Sequence, residues 1–496
     1  MRAGHWIAVW LVALAIRLSA AFMLPNAEGD GYCYAEIVAQ LSAKISAGHF
    51  RFTDLFGFWL PLFQVTSALA NLWIDNALLA GKIVSALCGA MTCVLLFAIT
   101  NRITRNIWLA YLAFALIVFN PLHVLYSAAC MTDVPYGCLV LASLWFVLEK
   151  RWIAAAIFAA AAGCVRMEPW ALILLLPLIQ FLYERRISLV AVIILICPPL
   201  AWLAISHFAT GDAFAYFADR ARYHVSYLEF FPTRRGFAWS DIRQDADYLL
   251  LAANRVVGLA IIAAAILSIL RWIRRGRLIP ISLAAPLGYI AAIFGLILVA
   301  YATKRQPVIL PRYGLIFFLL GLPLLMWLIQ FSIKRSPRSW FIKIAATAVI
   351  CLSLWESTGQ LVVISKVLVD FRAHSEVADA LVTAMKSSPQ AEERCFSDDA
   401  AVRVLSRLPP DHFVRSTTAP VSARQSIAAF ESYLEQEHVV YLVFMRVEDS
   451  LPAKFFPQLG GTSQTHSEKF EPMMFAPSTF GPDVSLYRLH AAEQTR

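Results

Sequence analysis

The chain has 496 residues, is 59% hydrophobic and 15% charged, has a mean hydropathy of +0.65 and carries a formal net charge of +9. Apolar residues in runs near the length of a bilayer crossing exclude an ordinary water-soluble chain and predict a polytopic helical membrane protein. The Lys and Arg stand in short clusters between those runs rather than on one soluble face, so they read as topology signals and not as a nucleic-acid surface.

In chain order, about eleven spans are predicted, near 6–24, 78–99, 107–128, 134–149, 152–165, 169–183, 187–208, 249–270, 279–301, 314–331 and 342–364. The first is long, carries Arg17 and is followed by no convincing small-residue cleavage pattern, so it reads as a retained helix and not a signal peptide. Arg17 must find a partner or snorkel there, and a charge inside a span is functional by default. The segments 134–149 and 152–165 are short for a full crossing. Alternate loops carry Arg102 and Arg105, Lys150 and Arg151, Arg185 and Arg186, the cluster Arg271 to Arg277, and Lys334 to Lys343. By the positive-inside rule these face the cytoplasm, which places the amino terminus inside and the region after residue 364 outside.

That topology collects the unusual residues on the outer face. The first outer loop, from residue 25 to about 77, opens with Glu28-Gly29-Asp30-Gly31-Tyr32, runs on as a helix-like stretch to Ile45 and contains Phe56-Gly57-Phe58-Trp59-Leu60-Pro61-Leu62. Its apolar content predicts helices in the interface plane. Asp30 is either an N-cap of the helix that follows or a catalytic carboxylate placed to meet both a lipid head group and a soluble substrate. Asp133, in Met131-Thr132-Asp133-Val134-Pro135, is likewise a cap before a first-turn Pro or a site residue. Arg166 and Glu168 form a junction ion pair or part of the same site. A long outer segment, Thr210 to Tyr248, is rich in aromatics and charges. Lys304, Arg305 and Arg312 break the positive-inside pattern, which favours anion binding.

Carboxylates beside cations at the outer boundary are what a transferase needs to take a sugar from a lipid-linked phosphate. A carboxylate deprotonates the acceptor hydroxyl, while Arg and Lys stabilise the departing phosphate. Neither GxGxxG nor GxxxxGK[ST] is present, so no nucleotide cofactor is expected. The order of parts resembles the glycosyltransferase C superfamily, in the branch of protein O-mannosyltransferases and the lipid A aminoarabinose transferase. The resemblance rests on Arg17 in the first span, the acidic Glu28-Gly29-Asp30-Gly31-Tyr32 loop, Pro61-Leu62 opening a helix, Thr132-Asp133-Val134-Pro135 and Pro311-Arg312-Tyr313, and covers roughly residues 6–331.

The resemblance implies an inverting enzyme of the bacterial inner membrane that uses a polyprenyl-phosphate-linked sugar and an acceptor protein, lipid or glycan. Asp30 would match the catalytic carboxylate of the family and Asp133 its supporting Asp, with Glu28 beside them, although several relatives pair two acidic residues where Asp30 is followed by Gly31. Arg312 would match the late Arg near the donor phosphate, with Arg305, Lys304, Arg166 and Arg17 as further phosphate candidates and Tyr32, Glu168 and Tyr313 as substrate contacts. Metal dependence is open: Glu28, Asp30, Asp133 and Glu168 are possible carboxylate ligands, but no His-rich spacing supports them. A glycan ligase using lipid pyrophosphate and a non-enzymatic flippase, transporter or receptor are the rival classes.

The tail departs from this composition. Residues 1–369 are read as the membrane domain and 370–496 as a soluble extracytoplasmic α/β domain. The latter has a helix over 375–385, another over 430–437, a buried strand over 439–444 and an alternating strand over 484–489. The nine cysteines contain no CxxC pair, and most lie inside apolar runs, so neither a zinc site nor a disulfide framework is indicated.

Overall fold

The computed structural model describes residues 3–26, 29–230, 239–276, 278–303, 312–335, 340–387, 393–445, 450–460, 469–477 and 483–490. The chain separates into two compact units, one of residues 1–27 and 37–364, the other of residues 28–36 and 365–496.

The first unit is helical. Its elements are α1 (Ala3–Met23), the latter part of α2 (Gly29–Ser46), α3 (Leu62–Ile74), α4 (Ala77–Thr104), α5 (Ile107–Val118), α6 (Pro121–Ser127), α7 (Asp133–Leu148), α8 (Trp152–Gly163) and α9 (Leu172–Glu184). They continue with α10 (Leu189–Thr210), α11 (Ala215–Phe230), α12 (Trp239–Ala253), α13 (Arg255–Arg275), α14 (Ile281–Ala302), α15 (Arg312–Arg335), α16 (Trp340–Gly359) and the start of α17 (Leu361–Ser387). Among the described residues seven helical stretches are long and apolar enough to cross a membrane, or eight if α5 and α6 count as one bent span. Their outward sides carry exposed Leu, Ile, Val, Phe and Trp, among them Leu189, Ile193, Phe208, Leu259, Ile262 and Trp355, a distribution that water would not tolerate and lipid does. The protein is therefore a polytopic helical membrane protein.

The eleven expected segments fall on helices, but length does not make each of them a crossing. At about 1.5 Å per residue, α7, α8 and α9 reach only ~24, ~18 and ~20 Å, against ~30 Å of hydrocarbon. The expected span 107–128 bends by 64° between α5 and α6. Asn120 caps α6 by accepting from the His123 N–H at 2.9 Å, and Pro121, with no N–H to give, takes the first helical position. The expected span 249–270 is cut at Asn254, which has φ 62° and accepts from the Val256 N–H. The Asn254 amide also donates to the Ser353 carbonyl at 2.8 Å and to Ser357 Oγ at 3.2 Å, fastening the start of α13 to α16.

At the centre, α4 packs against α1, α3, α5, α7 and α15. α15 packs in turn on α12 and α13, and Gly314 makes its closest approach possible: a Cβ there would stand 2.4 Å from the Leu249 carbonyl oxygen. Pro61-Leu62 opens α3 as expected.

The second unit combines residues 28–36, the remainder of α17 and a mixed sheet. Its strands are β1 (Arg394–Ser397), β2 (Phe413–Val414), β3 (Val439–Met445), β4 (Phe470–Ala476) and β5 (Val484–Leu489), in the order β2-β1-β3-β5-β4. β1 runs parallel to β2 and β3, while β5 is antiparallel to β3 and β4. Three short helices, α18 (Ala400–Ser406), α19 (Ile427–Gln436) and α20 (Leu451–Phe455), complete it. Phe396, Phe430, Leu442, Phe444, Phe470 and Tyr487 form one core, and Val377, Leu381, Cys395, Val402, Val443 and Leu486 another. The expected helix at 375–385 is part of the longer α17, since no Gly or Pro interrupts 361–387. The expected strands at 439–444 and 484–489 are β3 and β5.

Candidate active site

In the first unit the α8–α9 connection brings Arg166 onto two carboxylates. α8 ends at Gly163, and Glu168-Pro169 starts a short 3-10 turn over Glu168–Ala171. Arg166 Nη1 donates to Asp133 Oδ1 at 2.8 Å, and its Nε and Nη2 donate to Glu168 Oε1 at 3.0 and 2.7 Å. The side chains of Asp133 and Glu168 are only 4% and 9% exposed. Its guanidinium also lies over the Tyr313 ring, 4.7 Å from the centroid, and 5.6 Å from that of Tyr136. Burial alone would push the Glu168 carboxyl up; the charge and hydrogen bonds of Arg166 outweigh it and hold the pKa below the ordinary value.

Asp133 occupies the first position of α7 after Thr132, and its carboxylate serves Arg166 instead of capping the helix. Arg166 and Glu168 do form an ion pair, and Asp133 is its third member. Asp133 Oδ2 is buried with no hydrogen-bond partner among the described residues, a condition native interiors seldom leave unexplained. A small cavity borders this trio, lined also by Arg312, Tyr313, Ile297 and Ile316.

Arg220, in α11, is a member that the sequence reading missed. It lies over the Phe58 ring at 4.4 Å and the Tyr216 ring at 5.4 Å, and within electrostatic reach of Glu168 and Tyr313. Tyr216, one helical turn before it, packs with Leu60, Trp202 and Ile205, which fixes that turn. Among the described residues, Arg166, Arg312 and Arg220 stand against Asp133 and Glu168, three cations to two carboxylates. The only sequence signal was an Arg in a segment rich in aromatics, a pattern without a motif.

Arg17 is elsewhere. It is fully buried, and its guanidinium donates to the carbonyls of Val118 and Ile117 at 2.7 and 2.9 Å and contacts His123 Nδ1 at 2.8 Å. Both carbonyls lie where α5 breaks; that of Ile117 also accepts from the Asn120 N–H at 3.2 Å, and Arg17 supplies a donor to that of Val118, so Arg17 helps satisfy the broken helix. It lines no part of the Asp133–Arg166 cavity.

Asp30 and Tyr32 belong to the second unit. α2 begins at Gly29, so Asp30 is inside its first turn and not at the N-cap. Tyr32 is buried, its hydroxyl has no hydrogen-bond partner among the described residues, and burial, with Asp399 nearby, raises its pKa. Burial pushes the Cys33 thiol up to about 12, with Asp30 and Glu36 acting in the same direction. Glu36 accepts from Arg403 Nε at 2.6 Å and Nη2 at 2.9 Å, and from Arg415 Nη1 at 3.4 Å. Glu28, Lys304 and Arg305 lie outside the described residues. Among the described residues no group of three or more His, Cys, Asp and Glu side chains is placed to hold a metal ion.

No protein-family model matches the sequence. No curated protein matches it. Solved structures do: ArnT from Cupriavidus metallidurans in the apo state has a TM-score of 0.59, at 13% identity over 98% of both chains. The structure of ArnT from the same organism bound to undecaprenyl phosphate has a TM-score of 0.55, again at 13% identity over 98% of both chains. At that identity the likeness is one of fold, and it extends along the whole chain, over the helical membrane region and the small mixed-sheet unit alike.

Proposed function

We propose that this protein is an inverting glycosyltransferase of a bacterial inner membrane, transferring a sugar from a polyprenyl-phosphate-linked donor to an acceptor on the non-cytoplasmic face. The observation that carries the proposal is the buried Asp133–Arg166–Glu168 cluster beside Arg312, set in a fold shared with a protein crystallised with undecaprenyl phosphate. Asp30 takes the proton of the acceptor hydroxyl as its oxygen attacks the anomeric carbon, and the bond to the lipid phosphate breaks. Arg312, with Arg220, Lys304 and Arg305 as further candidates, stabilises the charge that remains on that phosphate. Arg166 is held by two carboxylates, so its part is to orient Asp133 and Glu168 rather than to supply free charge. Tyr313 and Tyr32 are proposed substrate contacts.

In this reading the chain crosses the membrane about eleven times, with α7, α8 and α9 as short crossings, the amino terminus cytoplasmic and the tail outside. Residues 1–369 bind the donor and 370–496 form the extracytoplasmic domain.

Donor competition tests the class. Purified protein is offered a lipid-monophosphate sugar and a lipid-pyrophosphate sugar together, and sugar consumption and lipid products are followed by mass spectrometry. Consumption of the monophosphate donor with release of polyprenyl phosphate is expected. Preference for the pyrophosphate donor would make the protein a glycan ligase, and lipid translocation without cleavage a flippase.

A further inference from the structure

The second unit joins two pieces of chain far apart in sequence. Glu36, on the third turn of α2, receives two hydrogen bonds from the Arg403 guanidinium, although 367 residues separate them. Arg403 is itself well fixed: its Nη1 donates to the Ser397 carbonyl at 2.7 Å, and its side chain is only 7% exposed. The helix that carries it, α18, is capped by Asp399, which accepts from the Ala401 N–H at 2.8 Å and from His374 Nδ1 at 2.7 Å. Arg415 approaches the second Glu36 oxygen. A two-pronged Arg–carboxylate contact fixes angle as well as distance, which a single contact does not.

Asp30, Cys33 and Glu36 follow one another at three-residue steps along α2, and Asp30, Glu36, Arg403 and Asp399 all act on the Cys33 thiol. What holds Glu36 therefore holds the two turns that end in Asp30. We propose that Arg403 is a positioning residue for Asp30: through Glu36 it fixes the start of α2, so that the tail domain contributes to turnover and not only to stability or acceptor choice. This rests on the reading of Asp30 as the base. A base must reach the acceptor hydroxyl within hydrogen-bond distance, and a displacement near 1 Å costs on the order of 10²-fold in rate.

The experiment uses the full-length protein in detergent with a polyprenyl-phosphate-linked sugar. It compares Arg403→Met, Arg403→Lys, Glu36→Gln, the charge-swapped pair Glu36→Arg with Arg403→Glu, and Asp30→Asn. Turnover, donor KM, thermal midpoint and amide exchange over residues 29–36 are read for each. For Arg403→Met we expect kcat to fall about tenfold to a hundredfold with donor KM within about twofold, and exchange in the first turns of α2 to rise. Arg403→Lys or the swapped pair should recover part of kcat. Because losing one partner of a buried pair can unfold a protein, the swapped pair keeps the test decisive if Arg403→Met does not fold. Wild-type kcat in a folded Arg403→Met or Glu36→Gln protein overturns the positioning role, as does a kcat loss that only follows the thermal midpoint and is not recovered by Lys or by the swap. If Asp30→Asn is itself active, the base assignment fails and takes this inference with it; if Asp30→Asn is inactive while Arg403→Met is active, only the inference fails.

Discussion

Arg17 and Asp133 show how differently two charged residues near the membrane are used. Both are legible in the sequence as out of place, Arg17 because it stands inside an apolar run and Asp133 because it precedes one. Sequence could not separate them, since partners distant in the chain decide the matter: Arg17 meets the carbonyls of a broken helix 100 residues on, and Asp133 meets Arg166, 33 residues on. Arg17→Met should take the donor from the buried Val118 carbonyl, whereas the Ile117 carbonyl keeps the Asn120 N–H, and lower stability by about 1–3 kcal/mol, while undecaprenyl phosphate binding to the folded fraction stays unchanged; melting curves and native mass spectrometry check both. Asp133→Asn removes one of the two charges that hold Arg166. We expect turnover to fall by about tenfold or more with the protein still folded, measured as single-turnover sugar release. Arg220 was not legible, because its importance comes from Glu168 and Tyr313 rather than from neighbours in sequence.

Among the elements, most helices were legible from their apolar length, and the errors fall where a polar residue redirects the backbone. Asn120-Pro121 bends one expected span and Asn254 shortens another, each by capping a new helix within an apolar stretch. In the tail, β4 escaped notice because Pro472 cannot donate to a ladder. The structure places it on the sheet edge, where the pairing with β5 shifts register between Pro472 and Met474. Strands β1 and β2, with four and two residues, are too short to carry a periodic signal. The start of α15, which carries Arg312 and Tyr313, depends on Gly314 lying against α12. Gly314→Ala would drive a methyl into the Leu249 carbonyl, so the helix must shift. We expect a loss of about 1–3 kcal/mol in stability together with weaker undecaprenyl phosphate binding, seen by thermal melting and native mass spectrometry.

Over the whole molecule, membrane character was legible from composition and the tail from the change in composition, but the grouping of residues 28–36 with the tail was not. It includes the contact of Glu36 with Arg403, which has no local signature. The same unit should carry a pH signature. Burial would raise the Asp399 pKa, but His374, the Ala401 N–H and Arg403 outweigh it and hold it below the ordinary value. A depressed folded pKa means that the stabilisation is complete above the usual Asp pKa of about 3.9 and is lost as pH falls through the lower folded value. Thermal midpoints of the wild-type protein should therefore fall more steeply than those of Asp399→Asn as pH is lowered from about 5 toward 3. The central claim is that Asp30 acts as the base of a sugar transfer from lipid phosphate. Its most direct test is single-turnover release of polyprenyl phosphate by the wild-type protein and by Asp30→Asn. Asn keeps the size of the side chain but cannot take the proton, so release should slow by about 10²-fold or more while undecaprenyl phosphate binding is retained. Near-normal release by Asp30→Asn would contradict the assignment and shift the search for the base to Glu28 or Asp133.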